Sequence, residues 1–398
     1  AGLLLCLCLG LTSSYLQTGQ NWNFNMMQKN SQKMFHNLGP KSLPLSTIQR
    51  QRSQSSGIRA SEMTATQTFR PSVEAENRVI GSLPPRVFFY DTTLRDGAQG
   101  EGISLSCDDK LRIAHRLHKF GVHYIEGGWP GSNPKDAEFF RRARAELPPK
   151  AWAKVSAFGS TRYKNVAIEN DKQIAALVAA ETRVVTLVGK TWDLHVDQVL
   201  ETSREENLAM IRDTVAYFRE LGREVMLDAE HFYDGHRANP EYAMACLRAA
   251  AEAGVHWLVL CDTNGGTMPW ELEEVTRKAA LLCPTARIGV HCHNDQGMAA
   301  ANSLAAVRGG AEMVQCTANG YGERTGNANA MAILPTLELK MGVTTVGRDK
   351  LQGLTSLSRY VDEQANQPQN PRMAYVGYGA LEPKRLVPSH GAAEAPAR

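Results

Sequence analysis

From residue 86 onward the chain alternates short apolar runs with segments of helical period. The apolar runs fall at 87–94, 123–128, 151–159, 184–190, 224–232, 256–263, 287–295 and 313–319. Several are nearly continuous, such as Val184-Val185-Thr186-Leu187-Val188 and Trp257-Leu258-Val259-Leu260. Runs apolar on both faces suit parallel strands covered on both sides. Between them, segments such as 110–117 and 205–211 place apolar residues every three or four positions, which predicts helices. The punctuation agrees. Asn133-Pro134 and Asn239-Pro240 set an N-cap before a Pro at the first helical position. Ser203 with Glu206 reads as a capping box. Gly121, Gly222, Gly254 and Gly309 each follow a helical run as stop signals. Eight βα units in succession predict an α/β fold, a (βα)8 TIM barrel over 86–345. A doubly wound open sheet is the alternative.

Beyond Gly342 the pattern weakens. One more helix is predicted over 348–365, inside 346–378, which reads as the start of a linker subdomain. Gln367-Pro368-Gln369-Asn370-Pro371 then breaks the chain. The Pro/Ala-rich tail from Leu381 to Arg398 has no apolar period, so 379–398 is expected to be disordered.

Charge changes the picture at the other end. The balance is +3, but residues 1–61 hold six bases (Lys29, Lys33, Lys41, Arg50, Arg52, Arg59) and no Asp or Glu. The remainder is therefore mildly acidic, and bulk charge gives no argument for nucleic-acid binding. The basic segment opens with an apolar run, Leu3 to Leu11, too short to span a bilayer and of signal-core size. Residues 1–80 are thus expected to form a disordered targeting leader, for a plastid before a mitochondrion. The other reading makes 1–62 untranslated upstream sequence, with Met26, Met27 or Met63 as the start. No other segment is expected to cross a membrane. The eight cysteines form no C-x-x-C pair, and those in apolar strands read as buried free thiols.

Barrel active sites sit at the C-terminal ends of the strands. Strand one ends in Arg95 and Asp96, strand five in Asp228-Ala229-Glu230-His231, strand six in Cys261-Asp262-Thr263-Asn264, and strand seven in His291-Cys292-His293. Strand side chains alternate between faces, so His291 and His293 point the same way. Two imidazoles with a carboxylate from another strand end suit a divalent metal such as Mg²⁺, Mn²⁺ or Zn²⁺, and no Cys joins the set to suggest structural zinc. The bland alternatives are a satisfied core histidine and an Asp96 that only caps a turn or pairs with Arg95.

Leu94-Arg95-Asp96-Gly97, His291-x-His293 and Asn319-Gly320-x-Gly322-Glu323-Arg324-x-Gly326-Asn327 together resemble the 2-isopropylmalate, homocitrate and citramalate synthase family. Asp91 to Gly102, with Glu126 to Pro134, is most similar to the citramalate branch. The resemblance covers residues 86–378. It implies a metal-dependent Claisen condensation of acetyl-CoA with a 2-oxo acid, in branched-chain amino-acid synthesis, by a homodimer. Metal ligands are implied at Asp96, His291, His293 and Asn327, and Arg95 matches the catalytic arginine. Glu230 matches a glutamate that positions substrate, Thr263 a threonine on the oxo-acid carboxylate, and Gln99 lies in the same shell. Gly320, Gly322 and Gly326 are assigned to the coenzyme A end, where glycines allow close backbone approach. Family members continue into a subdomain whose histidine helps enolise acetyl-CoA. Here the resemblance fades after Tyr378, and the only later histidine is His390. This leaves two expectations: a truncated C-terminal extension, or a barrel that binds metal and oxo acid with little turnover.

Overall fold

The computed structural model describes residues 82–381. The leader expected over 1–80 and the tail beyond Leu381 lie outside the described residues. All eight expected strands form: β1 (Phe88–Asp91), β2 (Tyr124–Gly128), β3 (Val155–Ser160), β4 (Val184–Lys190), β5 (Glu224–Glu230), β6 (Trp257–Asp262), β7 (Arg287–Cys292) and β8 (Met313–Cys316). Each pairs in parallel with the next, and β8 pairs with β1 from Phe88↔Met313 to Asp91↔Cys316. That ladder closes a TIM barrel and excludes the open sheet.

The caps are largely as expected. Asn133 and Asn239 accept from the backbone N–H groups of Asp136 and Tyr242, each before a Pro at the helix start. Ser203 accepts from Glu206 N–H, but the Glu206 carboxylate turns to Arg162 and the Asn165 N–H, so the capping box is only half made. The stop at Gly309 is shifted by one: Gly309 is right-handed, and Gly310 takes φ +106°. Boundaries also differ: the strands expected to end at 94, 232, 295 and 319 end at Asp91, Glu230, Cys292 and Cys316, where the chain turns into the loops of the barrel mouth. Pro149–Trp152 is a helical turn rather than the start of a strand, because Pro149 presets the first helical φ and the amides of 151–153 bond back to Pro148 and Pro149. The helix expected over 348–365 is two pieces, Arg348–Leu351 and Leu354–Gln364, split where Gly353 N–H bonds the Lys350 carbonyl.

The barrel interior is graded. Phe88, Tyr124 and Trp257, at the strands' N-terminal ends, pack on Tyr90, Val184, Met226, Val259 and Met313. The Arg287 guanidinium lies 4.4 Å from the Phe88 ring centroid and 4.3 Å from that of Trp257, and pairs with Glu312. This aromatic floor fills one end and leaves the polar side chains toward the other.

One polar contact outside the barrel is structural. Lys110, on the helix Cys107–Phe120, is 2% exposed and donates to Asp136 and, at 3.2 Å, to the Gly127 carbonyl. Burial lowers its pKa, while Asp136 holds the charge in place. Asp136→Ala leaves that ammonium buried and unpaired, so it should cost about 3–5 kcal/mol in urea unfolding. Adding Lys110→Met should recover part of the loss, and an additive double variant would refute the pairing.

Candidate active site

After β1 the chain turns tightly into a short helical turn, Gly97–Gln99. Asp96 N–H donates to Thr92 Oγ1 at 3.3 Å, and Thr92 Oγ1 donates in turn to Glu126 on β2. The turn therefore presents Arg95 and Asp96 at the barrel mouth. On the other side of the closing seam, the loop after β8 folds back on the end of β7. His293 and Asn327 form an antiparallel bridge, Asn294 N–H bonds the Gly326 carbonyl, and Ala328 N–H bonds that of Cys292.

Four of the expected residues meet there. Asp96 Oδ2 lies 3.2 Å from His291 Nε2 and 3.5 Å from His293 Nε2, and the two nitrogens are 3.1 Å apart. Asn327 Nδ2 lies 2.5 Å from Asp96 Oδ2 and 3.1 Å from His291 Nε2. All four are buried. Imidazole lone pairs and a carboxylate oxygen at these separations repel one another unless a proton or cation lies among them. Asn327 Oδ1 is buried with no partner. Ligation needs that oxygen, rather than Nδ2, turned toward Asp96, a half-turn of the amide. The donor chemistry, two imidazoles with carboxylate and amide oxygen, fits a divalent metal.

Electrostatics bind Arg95 to the same place. Its Nε donates to Glu126 Oε2 at 2.7 Å and Nη1 to Asp96 Oδ1 at 2.9 Å, and its guanidinium stacks 3.8 Å from the Phe158 ring centroid. Burial would raise the Asp96 pKa, but Arg95 and the two histidines outweigh it and hold the carboxyl well below its ordinary range. Burial would lower His291, but Asp96 outweighs it and the imidazole is raised.

An HMGL-like family model matches residues 86–361. The chain belongs to the HMGL-like family. It is 51% identical over 299 residues to the (R)-citramalate synthase of Aquifex aeolicus, covering 75% of this chain and 56% of that protein. The (R)-citramalate synthase of Synechocystis is 51% identical over 305 residues, with 75% and 55% covered. A 2-isopropylmalate synthase of Sulfolobus acidocaldarius is more distant, 33% identical over 311 residues, with 78% and 77% covered. The chain thus spans about half the length of the citramalate synthases it matches. Among solved structures, the HMG-CoA lyase of Bacillus subtilis shares the fold, with TM-score 0.61, 22% identity, and 73% of this chain and 97% of that chain covered.

The other expected site residues of this HMGL-like barrel take different positions. Glu230, at the end of β5, pairs with Lys190 at the end of β4. Burial opposes its ionisation, but Lys190 outweighs that and lowers its pKa. Thr263 Oγ1 accepts from His231 N–H at 2.9 Å, and its carbonyl accepts from Arg324 Nη2 at 2.7 Å. Gln99 is exposed on the turn after β1. None of these three side chains bonds to the four clustered residues. The glycines assigned to coenzyme A lie close against their own loop. A Cβ on Gly322 would fall 1.8 Å from Asn327 Oδ1, and one on Gly326 would fall 2.0 Å from the Gly320 carbonyl.

Sequence reading assigned no role to the interior polar set. Glu126 is fully buried and accepts from Tyr90 OH at 2.7 Å as well as from Thr92 and Arg95. Asp228 and Gln315 join it. Burial, opposed by no full ion pair and reinforced by Glu126, pushes Asp228 up to about 7. The available signal was a lone polar residue inside an otherwise apolar strand.

Two outcomes of a Mn²⁺ titration follow. Gly322→Ala pushes Asn327 out of place and should weaken binding by roughly 10–100-fold, the cost of disturbing a ligand's support. Because His291 is raised above the ordinary imidazole range and its proton must leave before ligation, affinity should climb as pH rises through and above that range, with protons released to buffer. Tight binding by the Gly322 variant, or pH-independent binding, would contradict the assignment.

Proposed function

We propose that this barrel condenses acetyl-CoA with a 2-oxo acid, pyruvate first, to give citramalate and free coenzyme A. The observation that carries the reading is the cluster of Asp96, His291, His293 and Asn327 with a rigidly held Arg95 against it. The 51% identity to proteins named (R)-citramalate synthase supports pyruvate over the 2-oxoisovalerate of a 2-isopropylmalate synthase.

A divalent metal held by those four residues would supply Lewis acidity to the oxo-acid carbonyl. In the reaction, the acetyl methyl loses a proton and its carbanion bonds the keto carbon. The keto oxygen becomes an alkoxide and takes a proton, and water then cleaves the thioester to release the thiol. Arg95 serves the alkoxide. Glu126, Asp96 and the Phe158 ring fix its plane, while Nη2 makes no hydrogen bond among the described residues and is left to donate to an oxygen that gains charge. The donor needs no reorientation during the step. Thr263, Gln99 and Glu230, the last kept ionised by Lys190, form the proposed substrate shell on the family resemblance. A homodimer and a plastid destination for the leader stand on the same footing.

Thiol release from acetyl-CoA, measured with a panel of 2-oxo acids and Mg²⁺ or Mn²⁺, should be fastest with pyruvate. A preference for 2-oxoisovalerate would move the chain to the 2-isopropylmalate reaction, and release with none would leave a binding barrel. Arg95→Lys keeps the charge but loses the fork held by Glu126 and Asp96, so it should lower kcat by roughly 10²–10³-fold.

A further inference from the structure

Inside the barrel a polar chain runs from Asp228 on β5 through Gln315 on β8 to His291 on β7, and the reaction described above makes no use of its first two members. Asp228 is 3% exposed and Gln315 is 1% exposed. Gln315 Nε2 donates to Asp228 Oδ1 at 2.9 Å, and Gln315 Oε1 lies 2.7 Å from His291 Nδ1. Strand pairing places His291 directly beside Gln315, whereas Asp228 is reached across the lumen from three strands away.

The polarity of this chain follows from what each atom can do. An ionised carboxylate only accepts, so Asp228 draws the Gln315 amide nitrogen toward itself. The amide oxygen then faces His291, and an oxygen there also only accepts. His291 Nδ1 must therefore carry a hydrogen. In the neutral ring this leaves the lone pair on Nε2, the atom that faces Asp96 and His293. The opposite tautomer would set two lone pairs against each other at 2.7 Å between buried side chains, a cost that low dielectric magnifies. In the imidazolium form Nδ1–H is kept, and only the Nε2 proton is exchanged for a cation.

His293 has no comparable partner. Arg324 Nη2 approaches His293 Nδ1 at 3.0 Å, but lies closer, at 2.7 Å, to both the Thr263 carbonyl and Asp295 Oδ2. Of the two imidazoles, His291 alone has an acceptor facing Nδ1; the Arg324 guanidinium only donates, so it places no hydrogen on His293 Nδ1.

We propose that Asp228 and Gln315 are positioning residues that lock His291 in its Nδ1–H tautomer and so keep Nε2 open for a divalent cation. The proposal rests on reading the four clustered residues as a metal site, and it is independent of which oxo acid reacts. Outer partners of this kind are worth about 10–100-fold in metal affinity.

The test uses the full chain at about pH 8, above the Asp228 pKa. Mn²⁺ affinity is measured by calorimetry, and the His291 tautomer by two-bond nitrogen–proton NMR on metal-free protein. Gln315→Met keeps the volume and removes the acceptor. It should bind Mn²⁺ about 10–100-fold more weakly and show His291 shifted toward the Nε2–H form. The double exchange Asp228→Asn/Gln315→Glu reverses the donors at the same charge and nearly the same volume. The amide at 228 then donates to the carboxylate at 315, which accepts from His291 Nδ1–H. That variant should restore the Nδ1–H tautomer and bring affinity to within about threefold of the parent, a rescue that a packing role would not give. It also stands in if Gln315→Met fails to fold. An unchanged tautomer and affinity in Gln315→Met would overturn the proposal, as would a double exchange no better than the single one. If the parent itself binds no Mn²⁺, the metal-site reading falls first and this one with it.

Discussion

Pairing of β8 with β1 is the contact on which the site depends. Asp96 and Asn327 stand 231 residues apart in sequence and 2.5 Å apart in space, and they meet only because the sheet closes on itself. The same closure puts β1 between β2 and β8, so Glu126 reaches Arg95 from one side and Asn327 reaches Asp96 from the other. Next to the seam, the β7–β8 pairing sets Gln315 beside His291. An open sheet with these strands would leave the two halves of the cluster on opposite edges.

Closure creates a second constraint, since polar groups sealed inside a barrel need partners. The interior meets it in layers. Aromatic rings and the Arg287 guanidinium fill the floor. Above them Tyr90 OH bonds Glu126 and Thr186, Ser156 bonds Thr186, and Asp228 takes Gln315. Histidines and Asp96 complete the stack at the mouth. The hydrogen-bonded polar layer is what lets a charged site sit above an apolar floor.

Much of this was legible in the residues. Eight strands and the helices between them follow from periodicity and caps, and His291-x-His293 needs only the alternation of a strand to place both rings on one face. Partners were harder. A single Glu, Asp or Gln inside an apolar run gives no hint of what it faces, because that depends on register, and the β2–β3 register shifts at Glu126 and Gly128. Gly322 shows the same limit. Its freedom of backbone was evident, but its purpose, clearing room for Asn327, depends on a loop folding back onto β7. The turn at Pro149–Trp152 reads as apolar enough for a strand, and only the Pro pair argues otherwise.

Asp96 links the two halves of the chemistry because its oxygens face different cations. Oδ1 holds the Arg95 guanidinium at 2.9 Å, and Oδ2 faces the imidazoles. One carboxylate therefore divides a single charge between them. Positive charge gathered at Oδ2, whether proton or metal, weakens the hold of Oδ1 on Arg95 and frees guanidinium charge for an incoming anion. Glu126 prevents the arginine from following that anion away, since it anchors Nε at 2.7 Å from a fully buried position on β2. Loading the histidine side thus prepares the arginine side, and the arginine stays in place while it happens.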